Sequence, residues 1–320
     1  MKKNFPFILT VITVIIFVLN SQIVLEGASS GLILWFKTIV PTLFPFALLS
    51  SILLDLNMES AISRLLSPVT RPVFGISPAG NYVLFIGLLC GYPLGARTAS
   101  TLIREGRLSN GEGQYLMNFC NNLSPAFIIS FVCGSLLNDS SLIPKMLITL
   151  YLTPVLLGIL SRHIYISRNI TTIPETCSCS LPEHYCHNRS TLTVKPSVNI
   201  ISILDKAITT SSETLLKLGA YIIIFAILSN LIEHSIIPEY LKLILTSITE
   251  VTGGCRIIAT SAISTKLKLS LLSSLITFGG IAGIAQTAGM LHNTNLSLKQ
   301  YIIFRTISAA VVFIITYIFF

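Results

Sequence analysis

Polar side chains able to bind a ligand stand at a few places inside otherwise apolar sequence. Asn118, Asn121, Asn122 and Ser124, followed by Pro125, fall within the apolar stretch Gln114–Leu137. Unpaired amides in hydrocarbon are costly, and proline removes a backbone donor. Such a stretch persists only where it is buried in protein or lines a water-filled cavity. Gln286 and Thr287 stand in a second apolar stretch, Leu269–Leu291, which also carries Gly279, Gly280, Gly283 and Gly289. Arg97 and Arg256 each follow a glycine by two residues, Gly95 and Gly254. A guanidinium binds a carboxylate in a bidentate fork, so this pair could admit or release an anion. Glu250, just before Gly253 and Gly254, is the acidic group placed to couple to a proton or cation. Each group also has a plainer use: amides and hydroxyls hold membrane helices together, and arginines snorkel at the interface.

One polar segment gathers Cys177, Cys179, His184, Cys186 and His187. Thiolates and imidazoles are zinc ligands, but the spacing is not that of a common zinc finger, and one short loop offers little to orient them. The segment reads as a solvated loop, and neither a metal nor a cofactor is expected. Cys90, Cys120, Cys133 and Cys255 stand in apolar stretches, where a free cysteine acts as a small hydrophobe.

The elements that must position these residues follow from composition. The 320 residues are 52% hydrophobic and 11% charged, with a mean hydropathy of +0.80. Soluble domains carry about 25% charged residues. This excludes a soluble enzyme and a disordered tail, and implies an all-α polytopic membrane bundle with the lipid bilayer as its first partner. The net charge of +8 then reflects Lys and Arg in cytoplasmic loops, and no nucleic-acid partner is expected. Phosphate-loop, metalloprotease and nucleophile–base patterns are absent, so the chain does not read as an enzyme.

Hydropathy predicts full spans at Phe5–Leu25, Gly31–Leu54, Gln114–Leu137, Met146–Ile166, Thr214–Ile232, Leu269–Leu291 and Tyr301–Phe320. Tyr82–Gly95 and Tyr240–Glu250 are too short to cross, because a span needs about 20 residues. They read as re-entrant arms, turning at Gly91, Pro93 and Gly95 in the first and at Gly253 and Gly254 in the second. Four divisions result: an N-terminal transmembrane helix over 1–29, a first repeat over 30–166, a polar cytoplasmic loop over 167–212, and a second repeat over 213–320.

The repeats share an order of span, short arm, Gly-x-Arg, broken span and span. Arg97 to Phe119 and Arg256 to Phe278 are both separations of 22 residues, and each phenylalanine precedes a helix-breaking patch. With the N-terminus inside, matching spans run in opposite directions, so the repeat is inverted. This topology places 15 of the 21 basic residues inside, Arg305 among them, and 6 outside, as the positive-inside rule requires. Paired, glycine- and proline-interrupted segments in two halves point to a secondary transporter with its site where the broken spans meet.

The run Gly91-Tyr92-Pro93-Leu94-Gly95-Ala96-Arg97, with Arg104 and Gly106-Arg107-Leu108-Ser109, resembles the sporulation integral membrane protein YlbJ family. That family belongs to the nucleoside-recognition, or gate, domain proteins. The Asn121–Ile129 stretch, Gly254-x-Arg256 and Phe278-Gly279-Gly280 continue the resemblance, which covers roughly residues 30 to 320. It implies a spore-forming bacterium, residence in the cell membrane and outer forespore membrane, and movement of dipicolinic acid, a small aromatic dicarboxylate. The domain name implies a nucleoside or other small solute instead. A non-transporting sporulation scaffold, working with other membrane proteins or as a homo-oligomer, is the reading from a different class.

Overall fold

The computed structural model describes residues 5–56, 58–169 and 200–320. Every regular element among them is helical. The surface is apolar, with Leu19, Leu65, Ile200 and Phe319 exposed, and asparagine, serine and threonine side chains are buried beside a hydrophobic core that includes Tyr82, Phe119 and Leu272. Exposed apolar area of this extent requires lipid as solvent.

Helix α1 (Phe5–Leu19) ends earlier than hydropathy predicts. The Asn20 side chain donates to Ile16 O at 2.9 Å, a local bond that competes with helix continuation. Residues 21–25 therefore open the next helix. At 15 residues, α1 is shorter than a full crossing needs. Among the described residues, six helices are long and apolar enough to cross a membrane, or seven if one bent pair counts as a span.

The first of them runs from Ser21 to Asp55 as α2 (Ser21–Leu34), a π-turn (Trp35–Ile39) and α3 (Val40–Asp55). Pro41 lacks the N–H that would reach the carbonyl four residues back, and the register widens just before it, with Val40 N bonding Trp35 O. This helix packs along α10 (Ile200–Glu233). Asn230 Nδ2 donates to Ile23 O, Trp35 Nε1 to Leu215 O, and Lys206 Nζ pairs with Asp55. Numbers rise on one helix as they fall on the other, so the matching helices of the two repeats are antiparallel. Residues 200–212, expected in the polar loop, belong to α10. Their Ser/Thr-rich sequence lowers the hydropathy, yet Thr209, Thr210 and Thr214 each bond a carbonyl four residues back and stay helical.

Helix α4 (Glu59–Phe74) meets α5 (Pro78–Cys90) at a bend of 94°. Asn81 on α5 fastens the two, donating to Ser63 Oγ and Ser67 Oγ and accepting from Thr70 Oγ1. Helix α5 and α6 (Leu94–Arg104) form a hairpin whose tip is Gly91-Tyr92-Pro93. At Gly91 φ is +72°, and an added Cβ would collide with Asn122 O, so only glycine fits the turn. Helix α7 (Asn110–Cys120) stops, Asn121–Ser124 is non-helical, and the span restarts as α8 (Pro125–Phe127) running into a π-helix (Ile128–Leu136). A 3₁₀ turn (Ser140–Leu142) leads into α9 (Ile143–Asn169).

The second half repeats this order without a counterpart of α4. Helices α11 (Glu239–Thr249) and α12 (Val251–Thr260) form the second hairpin. Its turn falls at Glu250, whereas Gly253 and Gly254, expected to make it, lie in the first helical turns of α12. Gly254 serves close packing instead: a Cβ there would meet Ser247 Cα of α11 at 2.7 Å. Helix α13 (Thr265–Phe278) breaks at Gly279, restarts as α14 (Gly280–Ala288), and α15 (Leu298–Phe319) closes the bundle against α13.

Candidate functional site

Both hairpin tips and both breaks converge on one small central cavity, with room of about 60 Å³. Tyr92 comes from the first tip, and Glu250, Val251 and Thr252 from the second. Leu123 and Ser124 come from the first break, and Ala282, Gly283 and Gln286 from just past the second. Ile39, at the π-turn, and Leu218 on α10 close the walls. Interrupted helices aim their ends here. Ser124 accepts from Phe127 N at 3.3 Å and caps α8. Glu250 caps α12, accepting from Thr252 N at 3.0 Å, Gly253 N at 2.6 Å and the Thr252 hydroxyl. The buried carboxylate thereby neutralises the positive end of α12.

The residues singled out from sequence divide by place. Ser124 and Gln286 face the cavity. Asn121 and Thr287 meet each other, with Asn121 Nδ2 donating to Thr287 Oγ1 at 3.3 Å and Tyr301 Oη at 3.2 Å. Asn121 Oδ1 accepts from Ala96 N at 3.2 Å, so one amide ties the first hairpin, the second broken span and α15 together. Asn122 sits behind the cavity wall: its carbonyl accepts from Tyr92 N at 2.8 Å and its Nδ2 donates to Phe119 O at 2.8 Å. Asn118 lies further up α7 and accepts from Gln114 Nε2 at 2.9 Å. Gly91 and Pro93 form the first tip, while Gly95 lies in the first turn of α6.

The two arginines do not line the central cavity. Arg97 faces a separate vestibule of about 400 Å³ between α3, α6 and α10, with Arg104, Lys206, Lys217, Glu213 and Asp55 in its wall. Arg256 is exposed and lies over the Phe131 ring at 5.9 Å. The Cys177, Cys179, His184, Cys186 and His187 group lies outside the described residues. Among the described residues, no cluster of three or more His, Cys, Asp or Glu side chains is placed to hold a metal.

Arg305, expected among the basic residues on the inner side of the membrane, is buried by the fold. It is 1% exposed on α15, and its Nη1 donates to Asn122 Oδ1. Among the described residues, Glu250 and Arg305 are the two charged side chains in the buried interior. The signal that could have found Arg305 was a lone base four residues inside the terminal apolar stretch Tyr301–Phe320. An ionisable group within a span is a functional candidate by default.

No family model matches the chain, and no solved structure matches it. Among curated proteins it is similar to "Sporulation integral membrane protein YlbJ" of Bacillus subtilis (strain 168), 27% identical over 312 residues that cover 89% of this chain and 75% of that protein. The likeness extends far beyond the GYPLGAR run, and the chain's resemblance to the sporulation integral membrane protein YlbJ family holds over most of its length.

Proposed function

We propose that the chain is a sporulation-associated membrane transporter or gate for a small anionic solute. The observation that carries this reading is the convergence of two hairpin tips and two helix breaks, drawn from antiparallel halves, on one cavity. Irregular backbone at membrane depth is costly unless it serves a binding site or path. The relative's name supplies sporulation, and dipicolinate is the first solute to test. In this reading the membrane is the outer forespore membrane, with the N-terminus cytoplasmic. The basic-residue bias supports that orientation even without Arg305, at 14 to 6. The vestibule that holds Arg97, Arg104, Lys206 and Lys217 would gather anions ahead of the cavity.

The test is spore dipicolinate in the host, with the gene deleted and then restored. Deletion lowers dipicolinate, wild type restores it, and Gln286→Leu, which puts an apolar side chain into the cavity wall, restores it poorly at equal protein level. Normal dipicolinate in spores lacking the protein overturns the proposal.

A further inference from the structure

Arg305 leaves a specific part of its guanidinium unused. Nη1 is engaged by Asn122, and the Tyr301 ring lies 5.9 Å from Cζ. Nε and Nη2 have no hydrogen-bond partner among the described residues, although both atoms are buried. These two N–H groups point the same way along one edge of the guanidinium plane. That edge is the fork that takes a carboxylate through two parallel bonds. A cation so deeply buried with an amide as its only hydrogen-bonded neighbour is strongly destabilising unless an anion completes it. Glu250 does not fill the role. It forms no ion pair with Arg305 in the structure, and its oxygens are taken by the start of α12.

The surroundings suit a polar guest. Tyr92 Oη is also buried without a partner among the described residues, and Tyr92 lies within electrostatic reach of Arg305. Thr277 Oγ1 on α13 and Ser308 Oγ on α15 are unpartnered in the same sense, and these two helices pack against each other along their length. Asn122, which holds Arg305, directly precedes the cavity residues Leu123 and Ser124.

We propose that the buried, unpartnered Nε–Nη2 edge of Arg305 is the anion subsite of the transport path, taking one carboxylate of the solute in a bidentate pair. This rests on the reading of the chain as an anion transporter and names the residue that recognises the charge. It also assigns Asn122 a positioning role, fixing the guanidinium so that its free edge is presented.

The experiment is equilibrium binding of pyridine-2,6-dicarboxylate to the full chain in lipid nanodiscs, with the neutral 2,6-dicarboxamide as control. Wild type binds the dicarboxylate and not the diamide. Arg305→Gln lowers dicarboxylate affinity about 30-fold or more, as loss of a charged bidentate pair requires, and Arg305→Lys retains part of it. Asn122→Asp is the second variant: an internal carboxylate pairs with Arg305, thermal stability rises, and dicarboxylate affinity falls. That rise separates lost binding from lost folding. If wild type binds the dicarboxylate and Arg305→Gln binds it equally, the Arg305 assignment is overturned while the proposed function stands. If wild type binds no carboxylate, both fall.

Discussion

The asparagines of the first break have different duties although they are neighbours in sequence. Asn121 uses its amide on Ala96, Thr287 and Tyr301, so Asn121→Ala should cost about 2–4 kcal/mol through lost bonds and orphaned partners. The drop would be read as a lower melting temperature in detergent. Gln286→Ala, at the cavity wall, should change stability by less than about 1 kcal/mol and lower transport instead. Tyr92→Phe removes a buried hydroxyl that has no partner among the described residues. It should leave stability unchanged or raise it by about 1 kcal/mol, and a marked loss of stability would show that the hydroxyl is bonded. The break was legible because amides are rare in apolar sequence and stand out against it. The division of labour was not, because it depends on α14 and α15, more than 160 residues away along the chain. Arg305 escaped for a related reason. A base near the end of a span has the same sequence signature whether it snorkels or is buried, and only the packing of α15 decides.

The hairpins are the elements most plainly written in the sequence. Short apolar runs such as Tyr82–Gly95 and Tyr240–Glu250 cannot cross a bilayer, and both fold back. The position of a turn was less legible. Gly253 and Gly254 advertise a bend, but the carboxylate of Glu250 satisfies the first N–H groups of α12 and sets its start three residues earlier. Helix α4 was hidden by its charges and by Pro68 and Pro72, and it is held by bonds to Asn81 that no local pattern announces. At the first tip, Gly91→Ala should destabilise by about 2–3 kcal/mol, because the left-handed backbone and the Asn122 carbonyl both exclude a methyl group. Expression level and melting temperature would report it. The pairing of α3 with α10 can be tested directly. Ser51 Oγ and Ser211 Oγ are 3.4 Å apart, so Ser51→Cys with Ser211→Cys should cross-link under mild oxidation, and a failure to do so would contradict the antiparallel contact.

In the whole molecule, two halves of opposite orientation enclose the central cavity. The 105–109 turn and the 261–264 turn are equivalent in the two repeats, so inversion places them on opposite sides of the membrane. Glu105→Cys and Ala262→Cys, in a background without other cysteines, should react with a membrane-impermeant thiol reagent from opposite sides. Labelling of both from one side would remove the inverted topology. The repeat order was readable from the sequence because hydropathy and helix breakers repeat; the identity of the solute was not, because charge recognition lies in side-chain edges that only the fold brings together. Uptake of labelled dipicolinate into proteoliposomes containing the purified chain, with and without ion gradients, decides whether the cavity transports an anion. Saturable uptake is expected, competed by other small dicarboxylates and lost in Arg305→Gln. Uptake no greater than in protein-free liposomes, or uptake of nucleosides in place of dipicolinate, would contradict this expectation.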